Sequence, residues 1–178
     1  APAAGEKKPE NTPKKEKQPM TFKRLYKEWI LPFGLEILAL FLIVKFVFFV
    51  PIVPTGSMEP TIAEHSALFA LRVHDLEKLE RGDIIVFTAE TPELAGTTLI
   101  KRLIGLPGDH VEIDENGTVT INGEVQQESY VVYQYAIPSE FDVPEGYYLF
   151  MGDNRANSMD SRYWQNPYVS GESIQGRA

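Results

Sequence analysis

A serine in a proline-bounded loop is the first candidate for chemistry in this chain of 178 residues. Ser57 lies in the stretch PTGSMEPTI at residues 54–62, directly after Gly56 and between two prolines. Proline restricts the backbone and glycine relaxes it, so this composition predicts a bent loop. Such a loop can present the Ser57 hydroxyl and backbone N–H to a substrate. Taken alone, an ordinary turn is the simpler interpretation, because a serine nucleophile also needs a base.

A lysine is the better candidate for that base. Lys101 lies in TTLIKRLI at residues 97–104, where the two-residue period of a strand puts Leu99, Lys101 and Leu103 on one face. A lysine on an apolar face loses hydration, so its pKa should fall until the neutral amine can accept a proton. The alternative is an edge-strand lysine that prevents aggregation, and the spacing does not choose between them.

The histidines are weaker candidates for a base. His65, His74 and His110 are scattered, and the local sequence distinguishes none of them. They also lack the spacing of metal ligands, and the chain has no cysteine, so we predict neither a metal nor another cofactor.

An apolar run places the Ser57 loop next to a membrane. Residues 30–50 include sixteen Leu, Ile, Phe or Val residues, and a helix of that length spans roughly 31 Å, close to one hydrocarbon core. Glu36 and Lys45 oppose insertion, but neither lies at the midpoint, and Lys45 can extend towards the far surface. A buried core helix and a cleaved signal peptide are the alternatives.

The distribution of charged residues predicts the orientation of the apolar helix and the domain organisation of the chain. Residues 1–28 contain eight Lys or Arg and four Glu, which predicts a disordered basic cytoplasmic tail. A transmembrane helix at residues 29–50 and an extracytoplasmic β domain at residues 51–178 follow. Residues 46–178 carry eight basic and twenty acidic side chains, which argues against binding to nucleic acid.

The rest of the chain predicts a mostly β fold. Strands are predicted at residues 66–71, 84–87, 97–104, 130–136 and 146–151, the fourth of them at an edge. The pairs Asn116-Gly117 and Asn122-Gly123 predict two hairpin turns. No long amphipathic helix follows residue 51, so we expect a small antiparallel β-sheet domain behind a single transmembrane helix.

Four stretches in a fixed order resemble the bacterial type I signal peptidases, the serine–lysine leader peptidases. They are PTGSMEPT at residues 54–61, RGDIIVF at residues 81–87, KRLIGLPGD at residues 101–109 and GDNRANSMDSR at residues 152–162. The last of these is a polar loop that, judged locally, is typical of a protein surface. The resemblance extends from about residue 25 to the C-terminus and implies a catalytic β domain of signal-peptidase type.

The resemblance also implies roles for individual residues. Ser57 would be the nucleophile and Lys101 the general base, while the Thr55 hydroxyl and the Ser57 N–H would form the oxyanion hole. Ser158 would hydrogen-bond the Lys101 amine, and Asp160 and Arg162 would form an ion pair. The residues implied to line small apolar S1 and S3 pockets, suited to Ala-x-Ala sites, are Val53, Met58, Ile62, Leu99 and Ile100.

The resemblance therefore implies a serine endopeptidase that acts on signal peptides of exported preproteins at a lipid bilayer. The plasma membrane is the expected location, with a thylakoid membrane as the alternative. The segment between Lys101 and Gly152 is too short for the second domain of some members, and relatives lead us to expect an aromatic strand beyond Ala178. A self-cleaving repressor-type Ser/Lys protease and an anchored β-sheet binding module are the competing interpretations.

Overall fold

The computed structural model describes residues 21–178 of the chain. Most of the predicted disordered tail therefore lies outside the described residues. The described residues form two compact units, one ending at Phe41 and the other comprising Leu42–Ala178.

The described chain begins with one long helical segment, Phe22–Phe46. Its apolar side chains lie on all sides of the helix axis, a pattern typical of a helix surrounded by lipid or protein. Among residues 21–178 it is the only helix long and apolar enough to cross a membrane by length and composition. The segment consists of α1 (Phe22–Leu25), a π-helical turn (Tyr26–Ile30) and α2 (Leu31–Phe46).

Both ends of this helix differ from the predicted bounds of 29 and 50. At its start, residues expected to be disordered are helical, and Arg24 donates to Glu28 at 2.7 Å, a pairing one turn apart that stabilises helices. At its end, Phe48 and Phe49 leave the helix because they pair with a strand of the β domain.

Eleven strands in the unit Leu42–Ala178 form two antiparallel sheets. The strands are β1 (Phe48–Phe49), β2 (Ala70–Arg72), β3 (Ile84–Thr88), β4 (Thr98–Gly105), β5 (His110–Ile113), β6 (Val119–Ile121), β7 (Glu124–Val125), β8 (Ser139–Asp142), β9 (Tyr147–Met151), β10 (Tyr168–Ser170) and β11 (Ile174–Arg177). The larger sheet has the order β1-β2-β11-β3-β4-β9-β10, and the smaller sheet has the order β7-β6-β5-β8. The prediction of a mostly β fold behind one apolar helix is confirmed.

The strand β4 lies at the centre of the larger sheet, between β3 and β9. Its neighbours are rich in β-branched and aromatic residues, which suit a buried pleated surface. Phe87 of β3 stacks on Phe150 of β9 with ring centroids 4.4 Å apart, and both rings are buried with Leu103. This packing makes β4 a rigid support for the side chains along it.

The two predicted hairpin turns connect three strands of the smaller sheet. Gly117, in the turn between β5 and β6, has a φ of 81°. Asn122 and Gly123, between β6 and β7, have φ values of 52° and 83°, as a two-residue hairpin turn requires. The apolar face of this sheet packs with Leu149 and Met151 in a second core cluster.

Two predicted strands differ in the structure. The strand at residues 66–71 is reduced to β2, because residues 66–68 pair only through an isolated bridge with the proline-interrupted segment that begins at Pro51. The prediction of an edge strand at residues 130–136 is wrong. The carbonyl groups of Tyr133 and Tyr135 accept hydrogen bonds from the loop at residues 155–162 instead of from a strand.

Candidate active site

Ser57 lies in a short 3₁₀ turn, Gly56–Met58, whose three residues are all buried. Extended residues flank the turn on both sides. Met58 is completely buried and packs with Val53 in an apolar cluster. The apolar side chain next to Ser57 therefore fixes the turn against the sheet.

Lys101 meets Ser57 from the middle of β4. Its Nζ donates to the Ser57 Oγ at 2.6 Å and to the Ile100 carbonyl oxygen at 3.3 Å. Only 3% of Lys101 is exposed, and Ser57 is also buried. The sheet register pairs Lys101 with Ile85, so the amine emerges from apolar surroundings, as the alternating pattern of β4 predicted.

Burial lowers the pKa of Lys101 to about 8. The negative charges of Asp160 and Asp153 act in the opposite direction and keep the pKa from falling further. A free lysine amine has a pKa of about 10.4, so the neutral fraction at neutral pH is far larger here than in water. The geometry and the pKa together allow the neutral amine to take the proton of the Ser57 hydroxyl.

Thr55 is an exposed residue next to the nucleophile. Its hydroxyl donates to the Ser57 Oγ at 3.3 Å. The Thr55 hydroxyl therefore lies beside the nucleophile, where the resemblance leads us to expect an oxyanion donor.

Ser158 is buried close to the nucleophile, but it does not make the expected hydrogen bond to Lys101. Its Oγ has no hydrogen-bond partner among the described residues. A methyl group added at Gly152 would lie 2.2 Å from the Ser158 Oγ and 2.5 Å from the Ser57 carbonyl oxygen. The glycine thus allows Ser158 and the Ser57 turn to approach each other.

Asp160 and Arg162 form a buried ion pair behind the site. The Arg162 Nε donates to Asp160 Oδ1 at 2.8 Å, and Nη2 donates to Oδ2 at 2.9 Å. Asp160 Oδ2 also accepts from the Gly152 N–H at 2.9 Å. The pair therefore fixes the start of the polar loop that carries Ser158.

A groove of about 320 Å³ opens beside Ser57 and Lys101. Three of the five predicted pocket residues, Val53, Leu99 and Ile100, line it. Met58 and Ile62 do not line it, because both are buried in the apolar cluster beneath the Ser57 turn. The other lining residues, which the sequence did not indicate, are Pro54, Leu94, Thr97, Thr98, Asn157 and Met159.

Sequence reasoning also missed two groups that support the polar loop. Arg102 forms a bidentate pair with Asp153, with its Nη2 2.5 Å from Oδ2, and its guanidinium lies 4.0 Å from the centre of the Tyr130 ring. Arg155 forms a second bidentate pair with Glu128. Three of the four charged partners lie within stretches singled out above, but the pattern gave no sign of their pairing across the fold.

The histidines lie away from the groove lining. His110 is hydrogen-bonded to Asp142 at 2.7 Å, and this carboxylate raises the pKa of its ring. Within residues 21–178 no cluster of His, Asp or Glu side chains could hold a metal ion.

Comparisons with known proteins agree on one family. The family model described as signal peptidase, peptidase S26, matches residues 26–178. The probable signal peptidase I-2 of Synechocystis sp. is 39% identical over 134 residues, which are 71% of this chain and 59% of the relative. The signal peptidase I of Leptolyngbya laminosa is 36% identical over 85% of this chain and 76% of its own length. The signal peptidase I T of Bacillus subtilis is 36% identical over 77% of this chain and 75% of its own length.

A solved structure is also similar. The crystal structure of a signal peptidase I from Enterococcus faecalis shares 35% sequence identity and has a TM-score of 0.49. The match covers 58% of this chain and 99% of that chain.

Proposed function

The chain belongs to the signal peptidase family, and on this premise we propose that it is a serine endopeptidase that removes N-terminal signal peptides from exported preproteins. The observation that carries the proposal is the distance of 2.6 Å between the buried Lys101 Nζ and the Ser57 Oγ. A serine and a lysine with a lowered pKa, in contact beside an open groove, have the arrangement that nucleophilic acyl transfer needs.

The first half of the reaction forms an acyl-enzyme. Ser57 Oγ attacks the scissile carbonyl carbon while the neutral Lys101 amine takes the hydroxyl proton. The Ser57 N–H and the Thr55 hydroxyl donate to the oxyanion of the tetrahedral intermediate. The Lys101 ammonium then gives its proton to the leaving amine, and the C–N bond breaks.

The second half returns the enzyme to its starting state. Neutral Lys101 takes a proton from a water molecule, which attacks the ester carbon and releases the signal peptide with a new carboxyl group. Ser57 recovers its proton from the lysine. Asp160 and Asp153 favour the ammonium that forms in each half-reaction, since both charges raise the Lys101 pKa.

The groove favours small apolar side chains next to the cleavage point. Val53, Leu99 and Ile100 supply apolar walls, and a space of about 320 Å³ is at the small end for a binding site. We therefore infer cleavage after Ala-x-Ala sequences, where short side chains occupy the two pocket positions.

The helix Phe22–Phe46 is proposed to anchor the enzyme in a lipid bilayer. The excess of Lys and Arg before it supports a cytoplasmic N-terminus and an extracytoplasmic catalytic domain. The plasma membrane is the proposed location, with a thylakoid membrane as the alternative. Ser57 follows closely after the helix in the chain, so the nucleophile would meet the substrate where a signal peptide leaves the bilayer.

The proposal is tested by incubating the purified full chain in detergent with a preprotein and sequencing the new N-terminus. We expect a single cut after an Ala-x-Ala site and none with Ser57→Ala, which removes the nucleophile from a loop without disturbing a strand. The control is Ser66→Ala, which alters an exposed hydroxyl bonded only to the Ala63 carbonyl. Normal processing by Ser57→Ala would disprove the assignment of the nucleophile.

A further inference from the structure

Asn154 holds the backbone on both sides of Ser57. The Asn154 N–H donates to the Ser57 carbonyl oxygen at 3.1 Å. The Asn154 side-chain Nδ2 donates to the Gly56 carbonyl oxygen, also at 3.1 Å. Only 6% of Asn154 is exposed, so these bonds are shielded from water. Asn154 lies in the polar stretch at residues 152–162 that carried the resemblance, but no role was expected for it.

These two bonds fix the orientation of the Ser57 N–H. The Gly56 carbonyl and the Ser57 N–H belong to one planar trans peptide group, so their O and H atoms point in opposite directions. Holding the oxygen towards Asn154 directs the N–H away from Asn154. The Ser57 carbonyl belongs to the next peptide group, and the conformation of Ser57 is defined by the rotation of these two groups about its Cα. Asn154 therefore restrains both rotations.

Asn154 is itself held in place. Its Oδ1 accepts from the Asn157 N–H at 3.1 Å and caps the 3₁₀ turn that follows. This acceptor role leaves Nδ2 as the group that faces the Gly56 oxygen, so the amide has one consistent orientation. The preceding residue, Asp153, is anchored by Arg102 at 2.5 Å and by the Thr61 hydroxyl at 2.5 Å.

We propose that Asn154 is a positioning residue for the oxyanion hole, whose side-chain amide sets the peptide group that supplies the Ser57 N–H. The inference rests on the proposed function, because an oxyanion forms only if Ser57 attacks a carbonyl carbon. A preorganised donor stabilises the transition state more than the bound substrate. Loss of the Asn154 amide should therefore lower kcat and leave KM nearly unchanged.

The test uses Asn154→Asp in the full chain in detergent. This variant keeps the shape, the cap on Asn157 and the backbone bond to Ser57, but it sets a carboxylate oxygen against the Gly56 carbonyl. With a synthetic signal peptide containing Ala-x-Ala, we expect the maximal kcat to fall about 10- to 100-fold. That is less than the roughly 100- to 1,000-fold loss on removing an oxyanion donor outright. KM should change by less than about twofold, since the ground state is unaffected.

The pH profile of cleavage separates the loss of the Asn154 amide from the effect of the negative charge that Asn154→Asp adds. The carboxylate of Asn154→Asp also raises the pKa of Lys101, which moves the rise in activity to higher pH. The plateau above that rise reports the oxyanion hole alone. Asn154→Ser is the neutral second variant, because a serine hydroxyl still caps the turn but is too short to reach the Gly56 oxygen. We expect the same loss of plateau kcat.

Thr61→Val is the matched control. It removes one hydrogen bond to the neighbouring Asp153, which Arg102 still holds through two others. It touches neither peptide group of Ser57, so kcat and KM should stay near those of the wild type. The amide ¹⁵N resonance of Ser57 gives a readout that is independent of turnover. It should shift in both Asn154 variants and not in Thr61→Val, because only the Asn154 variants remove the donor to the Gly56 carbonyl oxygen.

The outcomes separate the two proposals. A wild-type chain that leaves the peptide uncut overturns the proposed function, and with it this inference. If the wild type is active but Asn154→Ser keeps its plateau kcat or changes only in KM, the proposed function stands and the role proposed for Asn154 is overturned. An equal loss in Thr61→Val assigns the effect to general loosening of the loop and likewise overturns it.

Discussion

The Lys101 Nζ lies 2.6 Å from the Ser57 Oγ, although 44 positions separate the two residues in the chain. The lysine is delivered by the central strand β4, while the serine is delivered by a turn packed on an apolar cluster. Both elements are anchored on the larger sheet, since β4 lies within it and the turn packs on Val86 and Ile100. The polar loop at residues 152–162 then closes the back of the site.

The pair of Arg155 and Glu128 connects that loop to the rest of the β domain. Arg155 is 2% exposed, and it donates to both Glu128 oxygens, at 2.6 and 2.9 Å. Its Nε also donates to the Gly152 carbonyl oxygen at 3.1 Å. A buried guanidinium with so little access to water depends on its carboxylate partner.

Removing that partner should destabilise the protein strongly. Glu128→Ala leaves the Arg155 charge buried and unpaired, so we expect the free energy of unfolding to fall by about 3–5 kcal/mol. Chemical denaturation of the full chain in detergent measures this change. Lys78→Met is the control, because it breaks the exposed ion pair with Asp75 and should change stability little. A loss no larger than that of the control would contradict the prediction.

Local patterns explain which parts of the fold were predictable. The alternation of Leu99, Lys101 and Leu103 fixed one face of β4, and the two Asn-Gly pairs required positive φ angles that few other residues adopt. The segment at residues 130–136 has strand composition, yet its backbone is satisfied by the polar loop. Periodicity describes one segment and says nothing about the partner that satisfies its backbone.

Local sequence patterns also did not show which distant residues meet at the site. The chemistry of Ser57 and Lys101 was visible in their local surroundings, whereas the role proposed for Asn154 depends on carbonyl groups of a turn distant in sequence. Met58 was expected in a pocket, but the turn directs its side chain into the core beneath Ser57. Side-chain direction in an irregular turn follows from tertiary packing, which the sequence pattern does not display.

Gly152 offers a test of the close packing around the dyad. An added methyl group would lie 2.2 Å from the Ser158 Oγ and 2.5 Å from the Ser57 carbonyl oxygen. The second atom is backbone and cannot rotate away, so Gly152→Ala should displace the Ser57 turn and lower kcat/KM by at least about 100-fold, as small misplacements of reacting groups do. Cleavage of the synthetic signal peptide measures the effect. Gly34→Ala is the control, since nothing lies within 4 Å of its added methyl group; activity retained by Gly152→Ala would refute the predicted clash.

The pH dependence of cleavage tests the base. The Lys101 pKa lies at about 8, and only the neutral amine can accept the Ser57 proton, so kcat/KM should rise about tenfold per pH unit below that value and level off above it. Lys101→Met and Lys101→Arg should be inactive at every pH, because one has no base and the other stays charged. Lys78→Met should retain the wild-type profile. An active Lys101→Met variant with the same profile would assign the base to another group.

The same lysine should lower the stability of the folded protein. Its pKa falls from 10.5 for a free lysine side chain to about 8 in the fold. At about 1.4 kcal/mol per pKa unit, burying the ammonium costs about 3 kcal/mol near neutral pH. Lys101→Met removes the charge and keeps an apolar chain of similar length, so we expect the variant to be more stable than the wild type by about 2–3 kcal/mol at about pH 7, after the loss of the hydrogen bond to Ser57.

The advantage of Lys101→Met should disappear as the pH rises. Between about pH 8 and pH 10.5 the unfolded chain binds the lysine proton and the folded chain does not, so the wild type gains stability with pH over that window and the variant does not share the gain. Denaturation curves of both proteins in detergent, measured below and above the window, give the difference directly. Lys78→Met should run parallel to the wild type throughout, because its amine is exposed. Parallel curves for Lys101→Met and the wild type would mean that burial does not depress the pKa of this lysine, and the neutral-amine mechanism would lose its physical basis.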